Sequence, residues 1–328
     1  QARGGRAGRD TQVTPPRIVS FLSSATEAIC ALGLENSLLA VSHECDFPAF
    51  ITGKPRATLS YVDSARPSEE IDLEVKHRLS EGLPLYGLNE ELLRSFAPDL
   101  IVTQAQCDVC SIRHDDVLRL VASVPELSHT KVLALNPASL SDILQDVIRV
   151  GDAAGASLPA REFVSSLQRR IDRISLGTKS LDLSSRPRVV CIEWTSPLMT
   201  AGNWTPELIE LAGGHNGLAK KGEHSRYVSW SHIVDFNPQV LFVAPCGFDL
   251  QRSEQESRLL PTLPDWSAIA AVQAGRVFVL DGNAYLNRGG PRIVDSLEIV
   301  AHLLHPTLFR SSAGHLGEGV AWSRLRTR

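Results

Sequence analysis

The chain has 328 residues, of which 43% are hydrophobic and 21% are charged, and this composition excludes collagen, coiled coil and intrinsic disorder. Its 33 Lys and Arg residues against 37 Asp and Glu residues give a net charge of -4, which disfavours a nucleic acid partner because phosphate backbones attract a basic surplus. The length predicts two lobes that each bury a core, and no apolar run is long enough for a membrane-spanning helix.

The first elements of the chain predict a parallel strand, helix and strand unit. Arg17–Phe21 is a short apolar run that predicts a strand, and Leu38–Val41 predicts the next one. Ser24 and Glu27 have the capping-box spacing for a helix over Ala25–Leu32. Two strands joined through one helix in so few residues favour parallel pairing.

An internal repeat predicts two related α/β lobes. Asn89 is placed to cap a helix over Glu90–Phe96, after which a proline and an apolar strand follow. Ser229, a helix over Trp230–Phe236, a proline and a strand recur in the same order. Arg188–Trp194 predicts the first strand of the second half, as Arg17–Phe21 predicts that of the first half.

Two stretches lie outside the repeat. Residues 49–88 are polar with weak periodicity, so they predict loop with one short helix. Leu140–Ala154 and Ala160–Ile174 have helical periodicity and lie between the lobes, so they predict a stiff link that permits modest rocking. The predicted order is a flexible N-terminal arm (1–16), an N-terminal α/β lobe (17–136), linking helices (137–180), a C-terminal α/β lobe (181–310) and a tail (311–328).

The carboxyl ends of the predicted strands mark where a ligand would bind, because open parallel sheets bind ligands at that edge. Together they predict one cleft wall from each lobe. The segments concerned are Ser23-Ser24, His43–Asp46, Gln104–Cys110, Trp194, Pro245–Phe248 and Asp281–Arg288.

The order of these segments resembles the cobalamin-binding class of substrate-binding proteins that feed ABC importers. The resemblance rests on RIVSFLSSATEAICALG, SHECDFP and NEELLRSFAPDLIV in the first lobe. In the second lobe it rests on MTAGNWTPELIELAGGHNGLA, VSWSHIVDFNPQVLFV and RVFVLDGNAYLNRGGPRIVDSLEIVAHLL. It implies the class III periplasmic binding protein fold, in which two Rossmann-like lobes are joined by a long backbone helix and clamp a ligand. That ligand is a cobalamin or related corrinoid, bound as cargo with no cofactor required.

A corrin is a broad, largely apolar ring edged with amides, so its pocket needs aromatic faces and neutral hydrogen-bond partners. Trp204 stands in a turn before a predicted helix, where an indole is hard to bury. The residues predicted to bind the ligand are Ser23, Ser24, His43, Glu44, Gln104, Trp194, Trp204, Phe248, Asn283, Tyr285 and Arg288.

The cysteines leave two interpretations open. A metal or thiolate site could form from Cys45, Cys107, Cys110 and Cys246 together with His43, since the repeat places Cys107 and Cys246 after equivalent strands. Alternatively, the Cys107 and Cys110 pair is a local disulfide or simple packing. A complete structural zinc site is disfavoured because the chain has no second CxxC and no HxxxH.

Competing functions are weaker. A nucleophilic Cys45 or Cys107 with His43 as base would suit an enzyme, but the chain lacks G-x-S-x-G, a Walker loop and G-x-G-x-x-G, so we expect no catalytic residue. A ferric-siderophore or haem carrier is the alternative within the binding class, and an anionic siderophore would favour several arginines in the cleft. Of the residues named there, only Arg288 and Arg113 are cationic.

The resemblance also implies a monomer that docks on an ABC importer permease through one surface glutamate on each lobe. Glu91 matches in the first lobe, whereas Ser231 stands at the second position, with Asp235 one turn further along. A corrinoid carrier or sensor outside transport is the alternative. The implied location is periplasmic or otherwise extracytoplasmic, for a chain from which a leader could have been removed, while a cytoplasmic location stays open.

Overall fold

The computed structural model describes residues 15–105, 112–309 and 315–325, and it contains two α/β lobes, as predicted. The first lobe has a parallel sheet in the order β2-β1-β5-β6 and a separate antiparallel pair, β3 and β4. Its strands are β1 (Ile18–Ser20), β2 (Leu38–Val41), β3 (Thr58–Ser60), β4 (Tyr86–Leu88), β5 (Leu100–Gln104) and β6 (Lys131–Leu135). Its helices are α1 (Ser23–Ala31), α2 (Ser68–Ser80), α3 (Glu90–Phe96) and α4 (His114–Ser123), and the linking helices are α5 (Leu140–Ala153) and α6 (Ser157–Thr178).

The second lobe is built on a mixed sheet in the order β10-β8-β7-β11-β12-β13, with β9 also paired to β7. The β7, β11 and β12 strands at its centre are parallel, and antiparallel strands flank them. The strands are β7 (Arg188–Thr195), β8 (Leu198–Thr200), β9 (His215–Asn216), β10 (Arg226–Tyr227), β11 (Val240–Val243), β12 (Val277–Leu280) and β13 (Trp322–Arg324). The helices are α7 (Thr205–Leu211), α8 (Trp230–Phe236), α9 (Leu250–Ser257), α10 (Ala270–Gln273) and α11 (Ile293–Leu304).

The repeat is confirmed in atomic detail by α3 and α8. Asn89 Oδ1 accepts a hydrogen bond from the backbone N–H of Leu92, and Ser229 Oγ accepts one from that of His232, so both predicted caps form. Each helix has seven residues and ends at a residue in the left-handed region, Ala97 or Asn237. Each is followed by a buried central strand.

The linking helices pack apolar side chains into the cores of both lobes. Ile143 near the start of α5 packs in the core of the second lobe, whereas Val150 near its end packs in the core of the first. α6 is one helix of 22 residues, about 33 Å long, and extends beyond the predicted range at both ends. Arg170 on α6 is paired with Asp295 and Glu298 on α11. A link packed into both cores opposes large hinge motion.

For the first lobe, one prediction is wrong and another is incomplete. The capping box at Ser24 and Glu27 does not form, because α1 begins earlier, at Ser23, and Glu27 lies buried inside it. Residues 49–88 contain a helix of 13 residues, Ser68–Ser80, and the antiparallel pair β3 and β4. The periodicity of this helix is weak because Ser68 is its one buried residue, so no apolar stripe marks it.

No helix within the described part of the chain combines the length and apolar character needed to cross a membrane.

Candidate functional site

Four charged residues join the two lobes, and we call them the clasp: Glu27, Asp46, Arg288 and Arg292. Arg288 donates hydrogen bonds to Glu27 at 3.0 Å and to Asp46 at 2.6 Å. Arg292 donates to both carboxylate oxygens of Glu27, at 2.6 and 3.0 Å. The Glu27 side chain is only 2% exposed and that of Arg288 is 7% exposed. The clasp therefore ties α1 to the loop that precedes α11.

Two members of the clasp, Arg288 and Asp46, hold each other in the ionised form. Desolvation disfavours the charge of Arg288, but hydrogen bonds and charge from Asp46 and Glu27 outweigh it and raise the pKa of Arg288. Desolvation likewise opposes ionisation of Asp46, and Arg288 outweighs it, so the pKa of Asp46 falls below its usual value. Asn283 bridges the same pair by donating to Asp46 and accepting from Arg288. Asn283 and Arg288, predicted to bind ligand, are thus engaged in holding the lobes together.

Glu44 follows β2, at the edge of the sheet where the cleft is predicted. Its side chain is 46% exposed, yet desolvation by the protein around it raises its pKa to about 7, with Arg288 opposing the shift and Asp46 adding to it. Contact between Glu44 and a ligand stays a prediction.

His43, next to Glu44, is held by β3. Its backbone N–H donates to Thr58 Oγ1 at 3.0 Å, and its Nδ1 lies 2.8 Å from the same oxygen. Desolvation, aided by the charge of Arg56, lowers the pKa of His43, so the imidazole is neutral near pH 7. Its Nε2 lies 3.9 Å from Glu44 Oε1.

Trp194 and Phe248 form the predicted aromatic surface, with ring centroids 5.2 Å apart. A segment of the first lobe covers it. Trp194 Nε1 donates to the carbonyl of Ser68 at 3.2 Å, and the guanidinium of Arg252 lies over the Phe248 ring at 4.8 Å while donating to the carbonyl of Ala65 at 3.1 Å. This segment therefore limits access to the two rings, of which Phe248 is 5% exposed.

We call residues 61–85, between β3 and β4, the strap, because they reach across to the second lobe. Ser68 is 1% exposed, and its hydroxyl donates to Glu256 at 2.7 Å and lies 3.1 Å from Thr195 Oγ1. Tyr227 donates to Asp72 one turn further along α2 at 2.8 Å. These hydrogen bonds dock the amino-terminal half of α2 on the second lobe, and no periodicity in the sequence predicts them.

Trp204 is not exposed, and the expectation that a turn leaves it accessible is wrong. It is 5% exposed, and its Nε1 donates to the carbonyl of Leu286 at 2.5 Å, so the indole is satisfied inside the core. Gly289 packs on its ring so closely that a Cβ there would lie 2.7 Å from it. Tyr285, also 5% exposed, donates to the carbonyl of His315. Both aromatic side chains pack in the hydrophobic core of the second lobe.

Ser23, Ser24 and Gln104 are also buried, at 5 to 8% exposure, at the carboxyl ends of β1 and β5. Gly290 packs against Ser24, where a Cβ would approach its backbone to 3.0 Å. These three side chains form the floor behind the cleft surface, and ligand contact by any of them stays a prediction.

Cys45 does not present a thiolate to the cleft. It is 1% exposed, its Sγ lies 3.1 Å from Thr26 Oγ1, and burial raises its pKa. Cys246 is exposed at the end of β11, while Cys107 and Cys110 lie outside the described residues. Among the residues that the structure describes, no group of three or more His, Cys, Asp and Glu side chains is arranged to hold a metal ion.

Comparison with known proteins places this geometry in a family. A model described as periplasmic binding protein matches residues 18–284. The chain belongs to the periplasmic binding protein family. Family and structural neighbours of this periplasmic binding protein carry solutes and are not enzymes, so the expectation of no catalytic role is confirmed.

Three relatives are similar over most of their length. An uncharacterized ABC transporter substrate-binding lipoprotein, YvrC, of Bacillus subtilis (strain 168) is 24% identical over 302 residues, covering 90% of this chain and 82% of that protein. The vitamin B12-binding protein of Vibrio cholerae is 23% identical over 296 residues, covering 88% of each. A periplasmic heme binding protein from Pseudomonas aeruginosa has a TM-score of 0.68 at 20% identity, covering 96% of this chain and 99% of that one.

Proposed function

We propose that this periplasmic binding protein carries a corrinoid in the cleft between its lobes and delivers it to an ABC importer outside the cytoplasm. The relatives support the solute-carrying role, and they include both a vitamin B12-binding and a heme-binding protein. The choice between these ligands depends on the charge of the cleft.

The arginines around the cleft are already engaged. Arg288 and Arg292 are paired with carboxylates of the clasp, and Arg252 is paired with Glu256 and donates to strap carbonyls. Glu44, at the end of β2, is a carboxyl group whose side chain is 46% exposed. Haem propionates and anionic siderophores need cations as partners, whereas the amides of a corrinoid need neutral or acceptor groups. This distribution of charge is the observation that favours a corrinoid.

Titration calorimetry tests the ligand directly. We expect cyanocobalamin and cobinamide to bind with a stoichiometry of one per chain at micromolar concentration or below. We expect hemin and a ferric hydroxamate siderophore to give no saturable heat, because Arg288, Arg292 and Arg252 are already paired with carboxylates. Binding of hemin without binding of cyanocobalamin would instead assign the protein to haem transport.

Docking on a permease is expected to depend on the first lobe. Glu91 is exposed in the first turn of α3, and the equivalent turn of α8 exposes Ser231. In a pull-down with the cognate permease, Glu91→Ala should reduce capture and Ser231→Glu should increase it, because each changes one charge-assisted contact. Capture that is indifferent to both changes would argue for a carrier or sensor that acts without an importer.

A further inference from the structure

The hydrogen bonds of Thr58 determine which nitrogen of His43 carries the proton. The Thr58 hydroxyl donates its single proton to Ser42 Oγ at 3.1 Å. The same oxygen accepts from the backbone N–H of His43 and lies 2.8 Å from His43 Nδ1. Since the hydroxyl has no second proton to give, Nδ1 must be the donor of that contact. In the neutral ring, Nε2 then carries an unprotonated lone pair.

His43 lies at the edge of the sheet where the cleft is predicted. It directly follows Ser42, just after β2, and its side chain is 24% exposed. Its Nε2 is 3.9 Å from Glu44 Oε1, which is beyond hydrogen-bond distance. The ring is held from behind by Thr58 and by Tyr86, whose ring centroid is 5.4 Å away. An imidazole oriented in this way through its other nitrogen is the usual arrangement of a histidine metal ligand.

We propose that His43 Nε2 binds the metal at the centre of the carried corrinoid as an axial ligand. The proposal rests on the proposed function, since a single imidazole needs the macrocycle to supply the remaining metal ligands. With a corrinoid whose cobalt(III) carries a water, the Co–O bond breaks, the Nε2 lone pair forms a Co–N bond and the water leaves. No electron is transferred and no proton is released, because Nε2 is already unprotonated.

The neighbouring side chains favour this assignment over a thiolate. Cys45, on the same loop, is 1% exposed and its burial raises its pKa, so it is a protonated thiol away from the cleft. Glu44 adds a carboxyl group beside Nε2, and its negative charge when ionised favours a cationic cobalt(III) centre. Thr58 is a positioning residue in this arrangement, because it acts on the metal only through the orientation and tautomer of His43.

Absorption spectroscopy with two probes tests the proposal. Aquocobalamin has an exchangeable axial water, whereas cyanocobalamin keeps its cyanide, so only the first should report on ligation by His43. We expect a shift of the aquocobalamin spectrum on binding to the unaltered protein, and no shift with His43→Gln. The affinity of His43→Gln for aquocobalamin should fall by about tenfold or more, while its affinity for cyanocobalamin stays within about twofold.

His129→Gln is the matched control, because His129 is an exposed histidine next to the amino end of β6, away from the cleft edge of the sheet. It should shift the spectrum as the unaltered protein does. Retained cyanocobalamin binding shows that His43→Gln is folded. A shift that persists in His43→Gln, or its absence in the unaltered protein while cyanocobalamin binds, would overturn axial ligation and leave the proposed function standing. If neither aquocobalamin nor cyanocobalamin bound, the axial ligation and the proposed function would both be overturned.

Discussion

Glu27→Ala is expected to lower the free energy of unfolding by about 3–5 kcal/mol at pH 7. The side chain of Glu27 is 2% exposed and accepts hydrogen bonds from Arg288 and Arg292 at the same time. Its removal leaves Arg292, which is 13% exposed, with no carboxylate in the clasp, and takes one of two carboxylates from Arg288. Breaking a buried ion pair from one side has this cost because a desolvated charge remains uncompensated.

Thermal unfolding followed by circular dichroism is the appropriate measurement, with Asp152→Ala as the control. Asp152 is paired with Arg161 on the surface, where the side chains are 44% and 57% exposed, so the loss there should be at most about 1 kcal/mol. Equal shifts of the two variants would show that the clasp adds no more than a surface pair, and would remove it as the main tie between α1 and the cleft loop.

The parts of the fold that could be predicted from sequence are those with local causes. Asn89 and Ser229 cap their helices through backbone groups three residues away, and the prolines that follow mark where the next strands begin. The cap and the proline of each helix lie within ten residues of each other, so the sequence pattern is repeated in both lobes along with the structure. The linking helices were predicted for the same reason, since their apolar spacing is continuous along the chain.

The contacts that close the cleft could not be predicted in this way, because they join residues far apart in sequence. Arg288 and Glu27 are 261 positions apart, and Ser68 and Glu256 are 188 positions apart. Glu27 therefore looked like a capping residue, and Ser68 stood in a stretch without periodicity. The burial of Trp204 could not be predicted for a related reason, since the Leu286 carbonyl that accepts a hydrogen bond from its indole lies 82 positions away. The carboxyl ends of the strands still located the cleft, because sheet topology fixes that edge.

Ser68→Ala is expected to speed ligand binding, because the Ser68 hydroxyl helps to dock the strap, and the Ser68 carbonyl in that strap accepts a hydrogen bond from Trp194. The bond from Ser68 to the carboxylate of Glu256 is charge-assisted, and its loss should weaken docking of the strap by about 1.5–3 kcal/mol. A shift of that size raises the population of the undocked strap by about 10–100-fold where docking dominates. The apparent association rate of cyanocobalamin should rise by about tenfold or more, since only the undocked form exposes both rings.

Ser80→Ala provides a control at the other end of the same helix, because the hydroxyl of Ser80 bonds only within α2, to the carbonyl of His77. Stopped-flow measurement of tryptophan fluorescence on mixing with cyanocobalamin would give both rates. The control should bind at the rate of the unaltered protein, so that a faster rate in Ser68→Ala alone assigns the effect to the docked end of α2 and not to its helical stability. Equal rates in all three proteins would mean that the ligand enters without displacing the strap, and that Trp194 and Phe248 pack against Ser68 and Arg252 in the loaded protein as well.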